Sequence, residues 1–229
     1  MFQPDQYISS LIALLKEAFG ERLIYVGLQG SYLREEASEK SDIDIMTVIR
    51  GMTPDDLCVY RKAILALEDV EKSCGFICGA EELLHWNPLE IAHLIHTTKD
   101  YYGTLTDLLP AYTEQDVRIF VKMSLGNLYH EICHRRIHAS MERNISALPN
   151  TYKSVFFILQ NLHYLESGRF CGTKRELLSV LTGKDRQILD MALALERGEP
   201  IAFDEAFSLL YFWCREALVR TSPAAEANR

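Results

Sequence analysis

The sequence predicts an α+β fold: a mixed sheet flanked by helices, followed by an all-helical bundle. Three observations carry this. Short apolar runs of strand type alternate with helix-spaced segments over the first half of the chain. From Thr113 onward only helical spacing is found. Pro110 falls between the two regimes, which sets the expected domains at 1–110 and 111–229.

Each element has a local reason. Leu11, Ile12, Leu14, Leu15, Ala18 and Phe19 recur at helical spacing, with Pro4 and Asp5 before them and Gly20 as a stop. Leu23 to Leu28 is a strand-type run, broken by Gly30-Ser31. The polar stretch from Arg34 to Ser41 reads as a loop. Ile43, Ile45, Thr47, Val48 and Ile49 form a second strand, with Asp42 and Asp44 at its entrance. Thr53-Pro54 is an N-cap followed by proline at the first helical position, opening a helix expected to reach Glu68. Cys74 to Cys78 is a third strand, and Asn87-Pro88 opens another helix. Beyond it, a capping pattern at Thr113 to Asp116 starts a helix expected to run to about Ala147. Pro149-Asn150 is expected to break it, with a second helix from Thr151 to Ser167 ending at Gly168. Thr173 to Glu176 caps a third, and helical segments follow over about 184–197 and 203–221. The tail from Ser222 to Arg229 is expected to fray.

Composition narrows the function. The 229 residues are 48% hydrophobic and 24% charged, ordinary for a globular chain with a sizeable core. A net charge of −8 argues against duplex nucleic acid as a partner and suits a cationic small substrate. No apolar stretch is long enough for a membrane span, and no secretory leader is read at the N-terminus. The six cysteines lack paired metal-site spacing and read as free, mostly buried thiols in a reducing cytoplasm.

The chemistry lies in Gly30-Ser31, ten residues, then Asp42-Ile43-Asp44 between apolar neighbours. Gly30 lets backbone approach a ligand closely. Ser31 offers a hydroxyl and a backbone N–H at a helix start, where the helix dipole favours phosphate. Asp42 and Asp44, two apart on a strand, point to one face and can bind Mg²⁺. Metal there would neutralise phosphate charge during displacement of pyrophosphate.

Together these pieces resemble the signature of the DNA polymerase β nucleotidyltransferase superfamily: strand, Gly-Ser, short helix, then a strand bearing Asp-x-Asp. More loosely, the chain resembles the small-molecule branch, including the streptomycin and kanamycin nucleotidyltransferases, which carry a helical domain after the catalytic one. The stretch Leu162 to Gly168, followed by Thr173 to Leu177, is similar to their helix, glycine and lysine-bearing helix start. The resemblance implies a catalytic domain over 1–110 and a helical substrate-binding domain over 111–229. It gives Gly30 and Ser31 to the triphosphate of ATP or another nucleoside triphosphate, and Asp42 and Asp44 to metal.

The pattern is incomplete in one place. Family members usually carry a third acidic residue on a later strand, and the run from Cys74 to Cys78 has none; Glu71, Glu81 and Glu82 merely flank it. In the kanamycin type a glutamate of the helical domain is the base, and Glu131 is the candidate here. Charge compensation of the triphosphate calls for a cation, with Lys153 first and Lys174 second. Tyr101-Tyr102-Gly103 offers rings that can stack on a base or sugar, or simply pack in the core.

One competing signal stands apart: His130-Glu131-Ile132-Cys133-His134 matches the H-E-x-x-H pattern of zinc proteases, and His138 lies one turn further on. The expected activity is nonetheless transfer of a nucleoside monophosphate, AMP from ATP, to a hydroxyl of a small, aminoglycoside-like acceptor. The alternatives are a protein-modifying or antitoxin-type nucleotidyltransferase, a non-catalytic nucleotide-binding protein and, more remotely, a zinc protease.

Overall fold

A computed structural model describes residues 2–222; the expected frayed tail, beyond Ser222, lies outside the described residues. The chain divides into two compact units, Met1–Tyr112 and Thr113–Arg229.

The first unit opens with helix α1 (Pro4–Phe19), which has Pro4 in its first turn and buries Tyr7, Ile8, Leu11, Leu15 and Phe19 along one stripe. Strand β1 (Leu23–Gln29) leads into a one-turn helix, α2 (Gly30–Leu33). Strand β2 (Ile43–Ile49) and helix α3 (Pro54–Leu65) follow. The predicted cap of α3 forms: the Asp56 carboxylate accepts from the Thr53 amide at 2.8 Å and from its hydroxyl at 3.0 Å. The helix stops at Leu65, short of the expected Glu68. Then come β3 (Ser73–Gly79), α4 (Ala80–Leu84), α5 (Pro88–His96) and β4 (Lys99–Tyr102).

The four strands lie in the order β3-β2-β1-β4. β1 is antiparallel to both β2 and β4, whereas β2 and β3 run parallel. Alternation along β2 sorts the two faces. Ile43, Ile45 and Ile49 join the buried stripe of α1 and Ala63 of α3 in one core. Met46 and Val48 turn the other way, toward Tyr25, Cys78, Leu83 and Leu105. Trp86 closes this second cluster edge-on to Phe76, with ring centroids 5.0 Å apart, and its indole N–H donates to Glu90 at 2.8 Å. Asp44 shares the face of Met46 and Val48, at its open end.

Strand β4 was not foreseen as a strand, because four residues at a sheet edge, two of them charged, carry too short a pattern. Its rings are structural. Tyr101 donates its hydroxyl to Asp5, and Tyr102 packs beneath the Lys16 ammonium, 4.2 Å from the ring centroid; both partners belong to α1.

The second unit is helical: α6 (Glu114–His138), α7 (Met141–Ser167), α8 (Lys174–Val180), α9 (Gly183–Glu196) and α10 (Phe203–Arg220). Its core gathers Leu125, Tyr152, Leu159, Ile188, Leu210 and Trp213. The buried Trp213 indole donates to Asp185 at 2.6 Å, and Arg220 grips the same carboxylate with two bonds of 2.8 and 2.9 Å.

The expected break at Pro149 is corrected: Pro149 lies inside α7, and the chain turns ten residues earlier, at Ala139-Ser140. Side chains decide this. Ser140 accepts from the Arg143 amide at 3.3 Å, capping α7. The buried Asn144 amide donates to the carbonyls of Arg135, Ala139 and Ser140 at 3.1–3.3 Å, satisfying the end of α6. Proline costs the helix one N–H. Ile145 and Pro149 are both exposed, so water can reach the carbonyl left over.

One group in the first unit sets a pH response. Burial, then the positive Arg34 and His96, hold the His93 imidazole of α5 down at about 4, against an ordinary 6.5. Folded-state pKa lies below the unfolded value, so this group's stability is complete above pH 6.5 and is lost as pH falls toward 4. Across that window it should remove about 3 kcal/mol of stability. Urea denaturation at stepped pH should show this decline, and His93→Gln should reduce it, leaving the part due to His96, whose imidazole burial also holds down.

Candidate active site

The antiparallel register of β1 and β2 brings the two halves of the motif together. Gln29, the last residue of β1, lies opposite Asp44. Gly30 then turns the chain with φ +71°, a conformation that favours glycine. A Cβ at position 30 would stand 1.9 Å from Asp44 Oδ2, so the carboxylate rests directly against the turn. Asp44 is half-buried there, and Asp42, just before the strand, is exposed.

The turn is fixed by its own backbone. The Arg34 amide donates to the Gly30 carbonyl at 3.3 Å and the Glu36 amide to the Ser31 carbonyl at 2.9 Å. The amides of Gly30 and Ser31 open the helix and have no acceptor within it. The expected dipole contribution is corrected: α2 has four residues, too few for a sizeable macrodipole. Beneath the turn, the Gln29 amide donates to Thr98 Oγ1 at 2.8 Å, tying the end of β1 to the residue before β4.

The parallel register of β2 and β3 shows what stands where the resemblance implies a third acid. Cys74 lies opposite Asp44, on the same face. Partial desolvation of its sulfur, then the Asp44 carboxylate, push the thiol pKa up, so it stays protonated at neutral pH. Cys58 and Cys74 are exposed, contrary to the expectation of mostly buried thiols; Cys78, Cys171 and Cys214 are buried, and the cysteines are free. Another acid, Asp100 on β4, was missed with its strand. It accepts the Tyr25 hydroxyl at 2.6 Å. Gly27 makes this bond feasible, because a Cβ there would be 2.1 Å from the same hydroxyl oxygen.

Glu131 and Lys153 lie in the second unit. Glu131 is exposed on α6 and ion-paired with Arg135 at 2.9 Å. Lys153 is exposed on α7 and lines a cavity of about 230 Å³ with Tyr152, Phe156, Lys174, Leu193 and Glu196. The Lys174 ammonium is held by both Glu196 oxygens, at 2.9 and 2.7 Å. His130, His134 and His138 are exposed along α6. Among the described residues no three His, Cys, Asp or Glu side chains gather as a metal cluster, whereas a zinc protease site uses three protein ligands.

Comparison with known proteins follows this geometry. Residues 8–96 match the family model of the nucleotidyltransferase domain, and this part of the chain holds β1, β2, β3, the Gly-Ser turn and both aspartates. Among solved structures the chain is similar to the spectinomycin adenyltransferase AAD(9) from Enterococcus faecialis, determined with ATP and spectinomycin. Identity is 16%, 94% of this chain and 99% of that chain are covered, and the TM-score is 0.58, so the two share the α+β fold. A toxin–antitoxin structure with AMP-PNP covers 56% of this chain and 92% of its own at 20% identity, with a TM-score of 0.33. No curated protein matches the chain.

The Gly30–Asp44 approach is testable by itself. Gly30→Ala should cost about 1–2 kcal/mol from the left-handed backbone alone. It should also push the Asp44 side chain out of its position. Urea denaturation should read the first effect, and a crystal structure of the variant the second.

Proposed function

We propose that this chain transfers AMP from ATP to a hydroxyl of a small acceptor. The single observation that carries the reading is the contact of the Asp44 carboxylate with the Gly30 turn, which sets an acid beside the backbone amides that open α2. The match of residues 8–96 to the nucleotidyltransferase domain family and the fold shared with an adenyltransferase support it.

In this reading the Gly30 and Ser31 amides and the Ser31 hydroxyl hold the triphosphate. Asp42 and Asp44 hold Mg²⁺, which suits a donor set of two carboxylates completed by phosphate and water oxygens. When bound, the cation offsets the negative charge of the phosphates. The acceptor oxygen bonds to the α-phosphorus, the bond from that phosphorus to the β-phosphate bridge breaks, and pyrophosphate leaves. The acceptor proton passes to a carboxylate, for which Glu131 is the candidate. Lys153 supplies positive charge to the phosphates.

An aminoglycoside-like acceptor is the substrate class proposed. It is cationic, which suits a chain of net charge −8, and the similar solved structure contains spectinomycin. A cytoplasmic location fits the supply of ATP and the free cysteines. Among the described residues no helix is long and apolar enough to cross a membrane.

The experiment is incubation with ATP, Mg²⁺ and a panel of aminoglycosides and aminocyclitols, read by pyrophosphate release and by the mass of the acceptor. A gain of one AMP is the expected product. Asp44→Asn should lower kcat by about 100-fold or more, and Glu131→Gln by about 100-fold. Release of no pyrophosphate with any acceptor, proteins included, would overturn the proposal. AMP found on a protein would replace the small acceptor with a macromolecular one.

A further inference from the structure

The His130, His134 and His138 row on α6 takes no part in the function proposed above. Its positions, each four residues after the last, stack on one line of the helix. That line lies off the buried stripe of Val117, Val121, Leu125, Leu128 and Ile132, with His130 opposite it and His138 on its flank, and all three imidazoles are exposed. The ring centroids of His130 and His134 are 5.9 Å apart, and those of His134 and His138 are 4.6 Å apart.

These separations have a chemical meaning. A metal bound to two imidazoles at about 2.0–2.1 Å holds the rings roughly 4.5–5 Å apart, centroid to centroid, for bond angles between square and tetrahedral. The His134–His138 pair stands at that spacing, and the His130–His134 pair is wider. Glu131, the intervening acid, is taken up by Arg135 on the adjoining line of the helix. Cys133 belongs to the packed interior, next to the core of the second unit, and does not join the row. The donor set is therefore imidazole alone, with water filling the remaining positions.

We propose that this row is a surface chelate for one borderline divalent transition metal, Cu²⁺, Ni²⁺ or Zn²⁺, with His134 as the shared ligand. Mg²⁺ is not its ligand, because imidazole suits the transition metals and Mg²⁺ selects oxygen. The affinity order should follow Cu²⁺ above Ni²⁺ above Co²⁺. Binding joins successive turns of a folded helix, so it should stabilise the folded state by mass action. The row uses neither Asp42 nor Asp44 as a ligand and is given no step of the transfer reaction.

The test is calorimetric titration of the untagged full chain with Ni²⁺, in excess Mg²⁺ to occupy the carboxylate pair and with the exposed thiols of Cys58 and Cys74 alkylated. One Ni²⁺ per chain and a raised Tm are expected. His134→Ala breaks both pairs and should weaken binding at least tenfold and abolish the Tm shift. His130→Ala should leave binding within about twofold of wild type, and Asp42→Asn with Asp44→Asn should leave it unchanged. Circular dichroism of each variant checks that the fold is retained. The proposal is overturned if the wild-type chain binds no Ni²⁺, or if folded His134→Ala binds as tightly as wild type.

Discussion

A carboxylate pressed against a glycine is the constraint on which the candidate site depends. Asp44 can occupy its place only because position 30 has no side chain, and Gly30 can turn there only because its φ is positive. Both conditions follow from one register: β1 ends opposite the entrance of β2, so the turn that leaves the sheet starts where the acid pair begins. Slipping that pairing by one residue would place the acids on the other face, among the isoleucines that seal α1 to the sheet.

The rest of the first unit maintains this register. Isoleucines at alternate positions of β2 commit one face to α1 and α3, which leaves the opposite face for Asp44, Met46 and Val48. The far side of β1 is tied to β4 by the bond from Tyr25 to Asp100, and to the residue before it by the bond from Gln29 to Thr98. On the other flank, β3 brings a thiol rather than an acid to the row of Asp44. The sheet thus sets a neutral sulfur beside Asp44, while its further carboxylate, Asp100 on β4, is engaged by the Tyr25 hydroxyl.

Much of the architecture was legible in the residues, for identifiable reasons. Helices with long apolar stripes or strong caps, such as Pro4–Phe19 and the Thr113 and Thr173 starts, follow from local spacing and side-chain hydrogen bonds. The Gly-Ser turn and the Asp-x-Asp strand were readable because both halves obey short-range rules. Strand β4 was hidden because pairing with β1, not its own four residues, makes it a strand. Pro149 is a strong local breaker signal, whereas the capping by Ser140 and Asn144 becomes evident only when the ends of α6 and α7 meet. The third position beside Asp44 was unreadable, since a parallel register between separate strands cannot be counted along the chain. Glu131 and Lys153 were legible as candidate residue types on helices, but sequence spacing says nothing about which groups they face.

The two tryptophans of the chain fall one to each compact unit. Trp86 sits half-buried against Phe76 at the margin of the sheet, whereas Trp213 is sealed in the helical core on Asp185. Their emission maxima should therefore differ, redder for the indole nearer solvent and bluer for the enclosed one. Nature has placed an optical reporter of contrasting colour in each half, so that melting of the sheet and melting of the bundle can be followed as two signals in one cuvette.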